Sequence, residues 1–472
     1  MATAERIGRG WPATLVVGPD DRLVLDGVDL LALARERGTP LWAISRGAVE
    51  GSFDRLLGAM RARYPRSEIA YSMKVNSTMA VIRLLHARGA RVDCSAEHEL
   101  QVALRAGVPA SDVILNGCGK SDAALEAAAA LGVREVNVDS LDEAERLDAV
   151  ATRLGTRVAC TVRVQLSYAD LLELDPSYER SAAAADKFGS DVASGEALRV
   201  VRAVLASRSL DLVGLHHHVV FPGYMSDYTA ERAVAHHAES ARELVRFANE
   251  VRAATGVAVE RLNLGGGVRA GGTILVAPPG APEQAAWHDL PTEQAFAEGI
   301  AEAIESTWDG PELPLVQLES GSHSVWSAAV LLASVAEVKD AVRRGGPPQR
   351  FVYVDASTMM FTIRAMLRLG HPVVPVEGPR RPPVDDVPTH VVGQTCMGDT
   401  VAESLRLPAL ARGDVVALLH QGAYCDVMST QVNAFPRPET VLLDRGRVDV
   451  VKRREQPGES HARDLIPATL WA

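Results

Sequence analysis

The sequence predicts an α/β protein: a TIM-type (β/α)8 barrel over residues 40–325, followed by a C-terminal β-barrel or β-sandwich domain. Three observations predict it. Between about Pro40 and Ser320, short apolar runs alternate with helix-period segments, as expected of parallel strands covered by helices. Eight such runs occur, which suits a closed barrel better than an open doubly wound sheet. After Trp326 long helical patterns become scarce, and strand-like runs are separated by turn residues.

In chain order, Thr14–Leu31 has strand character, so residues 1–39 are assigned to the β domain with 326–472. The barrel runs are Ile69–Met73, Arg91–Cys94, Val113–Leu115, Glu135–Val138, Val158–Val164, Leu212–His216, Arg261–Leu264 and Leu315–Leu318. After the first, Thr78, Val81, Ile82 and Leu85 share a helix face and Gly89 closes the helix. Ser95 is placed to cap the next helix, with Glu97 and Glu99 in its first turn. Ser140 and Glu143 form a capping-box pattern. The polar Asp170–Asp186 and the Gly/Pro-rich Ala270–Pro291 read as loops over the barrel's active face. In the β domain the runs are Val330–Val338, Phe351–Val354, His390–Val392, Asp414–Leu419 and Thr440–Leu443.

Composition narrows the function. The chain has 472 residues, 47% hydrophobic and 23% charged, a globular composition long enough for two domains. A net charge of -11 argues against nucleic acid as a partner, because no basic excess exists to neutralise phosphates. No signal peptide and no membrane-spanning run is evident. Five dispersed cysteines read as free thiols in a reducing compartment, and the expected location is the cytoplasm.

Lys74 organises the chemical reading. It ends an apolar strand, where a buried ammonium is costly. It either snorkels from a strand edge or serves as the amine that forms a Schiff base with an aldehyde cofactor. Gly265-Gly266-Gly267 alone reads as a tight βα turn; its position after a late strand, where backbone N–H groups can approach a phosphate, favours a phosphate site. In His216-His217-His218 the middle residue faces away from the other two. One imidazole suits packing on a flat ring, and at least one is a core or rim histidine. No ligand spacing points to a metal. Glu319 ends the last strand, where a carboxylate can pair with a protonated ring nitrogen. Cys396, beside Gly398 and Asp399, is either a proton donor or nucleophile, or a small buried apolar residue. Tyr424 can donate to phosphate.

Taken in order, Tyr71-Ser-Met-Lys-Val-Asn76, Val92-Asp-Cys-Ser-Ala-Glu-His-Glu99, Lys187-Phe-Gly189, Gly214-Leu-His-His-His218, Leu264-Gly-Gly-Gly267, Glu319-Ser-Gly321, Cys396-Met-Gly-Asp399, Gly422-Ala-Tyr424 and Asn433-Ala-Phe-Pro-Arg-Pro438 form a recognisable set. The chain resembles the fold-type III pyridoxal-phosphate decarboxylases, the diaminopimelate, ornithine and arginine decarboxylase group, from about Thr39 to Leu443. The resemblance implies an alanine racemase-like barrel, pyridoxal 5'-phosphate as cofactor and an amino acid as substrate. It implies that Lys74 carries the internal aldimine, His218 stacks on the ring and Glu319 holds the ring nitrogen. Gly265, Gly266, Gly267, Gly321 and Tyr424 would bind the phosphate, and Asp93, Glu99 and Arg163 would support the lysine. Cys396 and Asp399 would reach the site from the other subunit of a homodimer, with the thiol protonating the decarboxylated carbon.

Departures from the family pattern fall on the substrate and phosphate sides. The usual Glu-Pro-Gly-Arg is Glu319-Ser-Gly-Ser322, followed by His323. The usual Gly-Ser after the stacking histidine is Val220-Phe221, and a glutamate usual after the cysteine is Met397. Arg364, before His371-Pro372, is the remaining candidate for a substrate carboxylate. Ser322, His323, Arg364, Met397 and Asp399 are therefore the expected substrate-binding residues. A thioether cannot balance a distal ammonium, so the expected substrate is not simple meso-diaminopimelate but a differently substituted α-amino acid, such as a siderophore or other specialised-metabolism intermediate. The alternatives are an amino-acid racemase and a non-catalytic, decarboxylase-like regulatory protein.

Overall fold

The computed structural model describes residues 11–166, 187–219, 229–276, 286–342, 346–362 and 372–470. They form two units, one comprising Val49–Ile274 and His288–Val325, the other Met1–Ala48, Leu275–Trp287 and Trp326–Ala472.

The first unit is a closed parallel barrel. Its strands are β1 (Ser67–Ser72), β2 (Arg91–Cys94), β3 (Val113–Leu115), β4 (Glu135–Val138), β5 (Val158–Gln165), β6 (Leu210–His216), β7 (Arg261–Asn263) and β8 (Leu315–Ser320). Each pairs with the next in parallel, and β8 returns to β1 through Glu319↔Ala70 and Ser320↔Tyr71. All eight sequence runs coincide with these strands. They are legible because barrel strands are covered on both faces and so read as apolar runs.

Helix ends follow local chemistry, with two adjustments. The helix Glu97–Arg105 is capped at Ala96 rather than Ser95; the Glu99 carboxylate instead reaches back to accept the Ser95 N–H at 2.5 Å. At Leu141–Leu154, Ser140 accepts from the Glu143 N–H, while Glu143 accepts from Asp139 N–H and from the buried Lys120 ammonium at 2.6 Å. The reading of Ala270–Pro291 as a plain loop needs correction: Thr273–Val276 and Ala286–Asp289 pair as a two-stranded sheet. The expected loop Asp170–Asp186 lies outside the described residues.

The barrel interior is polar towards the N-terminal ends of its strands. Glu68 lies beside the guanidinium groups of Arg91, Arg134 and Arg261 and accepts from Gln317, and Arg261 also pairs with Glu135. Crowding of these cations and burial together lower the Arg261 pKa to about 10, burial being the larger cause.

The second unit is built on the long strand Ala329–Val342. It pairs antiparallel with Pro348–Val354, with Val415–Leu418 and with the N-terminal strand Leu41–Ser45. Leu41–Ser45 pairs in turn, in parallel, with Glu439–Asp444. This strand falls inside the span expected to open the barrel, but its hydrogen bonds lie in the β sheet. Leu15–Val17, Leu23–Leu25 and Val28–Asp29 make a small antiparallel sheet whose Leu15, Leu23 and Leu25 share a core with Val330, Leu332 and Val441.

Candidate active site

The C-terminal ends of the barrel strands bring the polar candidates together. Lys74 sits in a 3-10 turn, Met73–Val75, directly after β1. Gly321, just past β8, packs against this turn: a Cβ there would lie 2.4 Å from Val75 Cγ2. From β2, Asp93 is fully buried, accepting from Ser72 Oγ at 2.7 Å and Asn116 Nδ2 at 3.1 Å. Glu99 is pushed above the usual carboxyl range by burial, opposed by the Ser95 N–H and the Lys74 charge.

Glu319 is the hub. Its Oε1 accepts from Asn116 Nδ2 at 2.9 Å and Asn263 Nδ2 at 3.0 Å, and His216 Nε2 lies 3.2 Å away. Its Oε2 accepts no hydrogen bond from the described residues, and His218 Nδ1 lies 4.0 Å from it. Burial pushes the Glu319 carboxyl up, reinforced by Asp93 and opposed by Lys74 and Arg163. On a buried side chain, a carboxylate oxygen that no described residue serves suits a cationic N–H partner. That is the match between this site and a protonated pyridine ring.

The three histidines divide as the strand geometry requires. His216 points to Glu319, and His217 turns outward to the Val164 carbonyl through Nδ1 at 3.0 Å. His218 is the partly accessible one, 29% exposed, with Nδ1 accepting the Gly266 N–H at 2.9 Å. Its proton therefore resides on Nε2. Burial, with Lys74 and Arg163 nearby, holds His218 well below the usual imidazole value.

The glycine triplet is tight for a visible reason. A Cβ on Gly265 would stand 2.6 Å from His218 Nδ1, and one on Gly266 would stand 2.7 Å from the Glu319 carbonyl oxygen. The glycines thus let β7's end close on the histidine and the glutamate. Arg163, on β5, stacks its guanidinium 4.4 Å above the ring of Phe188.

Of the substrate-side candidates, Ser322 opens the short helix Ser322–Val325. His323 is buried, bonded to the Ser52 carbonyl at 3.0 Å and 3.7 Å from Glu293, which pairs with Arg55. Its ring is thereby engaged in packing rather than presented as a replacement cation. Arg364, His371, Val220 and Phe221 lie outside the described residues.

In the second unit, Cys396 and Met397 are exposed at the tip of a loop, with Cys396 Sγ 3.9 Å from Asn433 Oδ1. Asp399 is buried beneath them. Its Oδ1 accepts from Thr358 N and Oγ1, both at 2.7 Å, and its Oδ2 from Thr395 N at 3.0 Å and Oγ1 at 2.7 Å. Expected to bind substrate, its carboxylate is instead filled by internal donors and fixes the cysteine loop. Tyr424 takes a left-handed backbone, φ 58°, which is strained for a bulky residue.

Sequence reasoning missed Asn116, Asn137 and Asn263, and gave His216 no separate role. Each is a polar residue within or just after an apolar barrel strand, and that is the signal that could have found them. Among the described residues no group of three or more His, Cys, Asp or Glu is arranged to hold a metal, and no helix is long and apolar enough to cross a membrane.

Residues 50–325 match the family model for the pyridoxal-binding domain of pyridoxal-dependent decarboxylases. The diaminopimelate decarboxylase of Methanothermobacter thermautotrophicus is 30% identical over 96% of this chain and 98% of its own length. That of Actinosynnema pretiosum is 34% identical over 94% and 92%. A crystal structure of the Methanocaldococcus jannaschii diaminopimelate decarboxylase superposes with a TM-score of 0.83 at 25% identity, covering 97% of this chain and 99% of that one.

Proposed function

The chain belongs to the pyridoxal-dependent decarboxylases, and from that premise we propose that it decarboxylates an α-amino acid other than meso-diaminopimelate, with Cys396 returning a proton to the α carbon. The cofactor is pyridoxal 5'-phosphate. When bound, it supplies an electron sink for the pair left behind when CO2 departs.

The observation that carries the reading is the buried Glu319, with one oxygen filled by neutral donors and the other left open at the mouth of the barrel. Glu319 would hold the proton on the ring nitrogen. Lys74 would hold the aldehyde through Nζ, with Asp93, Glu99 and Arg163 setting the charge around it. His218 supports the ring face. Gly267 and Gly321 would offer N–H groups to the phosphate, Gly265 and Gly266, whose N–H groups are given to Asn263 Oδ1 and His218 Nδ1, would let the backbone approach it without a Cβ, and Tyr424 would donate to it. The Cys396 thiol delivers its proton within a homodimer, a role supported by its exposure and by the ordered motif that contains it.

Met397 supports the choice of substrate. It stands where diaminopimelate enzymes of the family place a carboxylate, and it is 55% exposed. The residues offered in place of the family arginine are a serine and an internally bonded histidine. A second reading, meso-diaminopimelate itself, is favoured by the relatives at 30–34% identity along nearly the whole chain. Rates of CO2 release across a panel of α-amino acids, with optical rotation followed in parallel, test both. The expected result is CO2 release with a higher kcat/KM for another amino acid than for meso-diaminopimelate. A clear preference for meso-diaminopimelate selects the second reading, and loss of rotation without CO2 indicates a racemase.

A further inference from the structure

We propose that His216, with its tautomer set by Asn137, is a positioning residue that keeps Glu319 ionised and leaves Oε2 as the acceptor for the cofactor's ring N–H. The assignment rests on the decarboxylase reading and deepens it.

His216 ends β6 and is fully buried, as is Asn137 on β4. Asn137 Nδ2 lies 3.3 Å from His216 Nδ1. An amide nitrogen only donates, so Nδ1 must offer its lone pair and the imidazole proton must sit on Nε2. That nitrogen lies 3.2 Å from Glu319 Oε1, although the two groups are not aligned for an ideal hydrogen bond. Asn116 and Asn263 donate to that same oxygen, Nε2 stands close to it without completing a hydrogen bond, and no described residue donates to the other oxygen.

The reverse arrangement shows why the tautomer matters. If Asn137 presented its carbonyl oxygen instead, the proton would move to Nδ1. The Nε2 lone pair would then face Glu319, and the two could share the space only with a proton on the carboxyl. A neutral carboxyl is a poor partner for a pyridinium. Asn137, two bonds removed from the ring nitrogen, thus biases the charge state of the residue that serves it. The other charged or titratable groups facing the pair are Lys74, Asp93, Arg163, His217 and His218. None of them approaches Oε1 as Nε2 does.

The test compares affinities of the cofactor-free protein for pyridoxal phosphate and for its 1-deaza analogue, which carries CH in place of the ring nitrogen. Wild type is expected to prefer pyridoxal phosphate. His216→Phe should cut that preference by about threefold, the scale of a weak polar contact rather than a full charged hydrogen bond. Asn137→Asp, which demands a proton on Nδ1, should cut it similarly. His216→Gln, which retains an N–H near the position of Nε2, should keep most of it. A merely structural role would weaken both ligands equally and leave the ratio unchanged, which would overturn the assignment. Should His216→Phe fail to fold, the Asn137→Asp and His216→Gln pair decides by the same ratio. A wild type that takes up neither compound would remove the decarboxylase reading and this assignment with it. Uptake of both without preference removes this assignment alone.

Discussion

Replacing Asp399 measures how firmly the cysteine loop is held. Its carboxylate accepts four hydrogen bonds, two of them from the backbone N–H groups of Thr358 and Thr395. The Thr395 and Thr358 hydroxyls can rotate to other partners, but the N–H groups cannot. In Asp399→Ala both N–H groups lose their acceptor, each at a cost of about 1–3 kcal/mol, for a total of roughly 4 kcal/mol. Asp399→Asn keeps an oxygen for Thr358 and lets its amide donate to Thr395 Oγ1, so only the Thr395 N–H is stranded, at about 1–2 kcal/mol. For a unit of some 200 residues each kcal/mol lowers the melting temperature by about 2–4 °C. The alanine variant should therefore melt about 8–16 °C lower, and the asparagine variant less than half as far. Calorimetry gives the shifts, and the alkylation rate of Cys396 reports whether the loop has loosened. An alanine variant that melts within 2 °C of wild type would refute the four-bond account.

Other expectations follow from the barrel. Lys74→Ala should abolish pyridoxyl labelling after borohydride reduction, as read by peptide mapping. Glu319→Gln should retain bound cofactor but lower kcat by on the order of 100-fold, the scale of one preorganised electrostatic contact. Burial depresses His216, His217, His218, His237 and His323, His217 to about 4. Neutral imidazoles favour the fold above the ordinary value of 6.5, and that contribution is lost as pH falls from 6.5 through about 4. His217→Gln should remove up to about 3 kcal/mol of this dependence, visible as a flatter plot of denaturation midpoint against pH. Glu319 acts in the opposite sense in the cofactor-free protein: its raised pKa contributes stability below 4.5 that is lost as pH rises through the folded value. Met397→Glu should raise kcat/KM for meso-diaminopimelate relative to wild type, measured by CO2 release.

The barrel was legible because each strand is a short apolar run bounded by caps and glycines, and such local chemistry survives in a linear reading. The site was legible where residue type is unusual for its place, as with Lys74 at a strand's end or Glu319 after Val316-Gln-Leu318. Asn116, Asn137 and Asn263 escaped because an asparagine in a short strand looks like an ordinary turn neighbour. Only closure of the barrel shows that two of them meet on Glu319 and the third on His216. Asp399 misled for a related reason. A carboxylate beside a cysteine suggests a ligand partner, and nothing local reveals that Thr358, 41 residues earlier, already fills it. The pairing of Leu41–Ser45 with Glu439–Asp444 is likewise set by tertiary context, not by its own sequence.

That pairing has a consequence for biosynthesis. Leu41–Ser45 leaves the ribosome early, yet one of its two neighbours begins at Ala329 and the other at Glu439. Every strand of the barrel is translated before either arrives. The nascent chain must carry Leu15, Leu23, Leu25 and Leu30, apolar groups buried in the finished core, without Val330, Leu332 and Val441 until after the barrel strands have been translated. The barrel can mature as it emerges, whereas the sheet built around its earliest strand closes last.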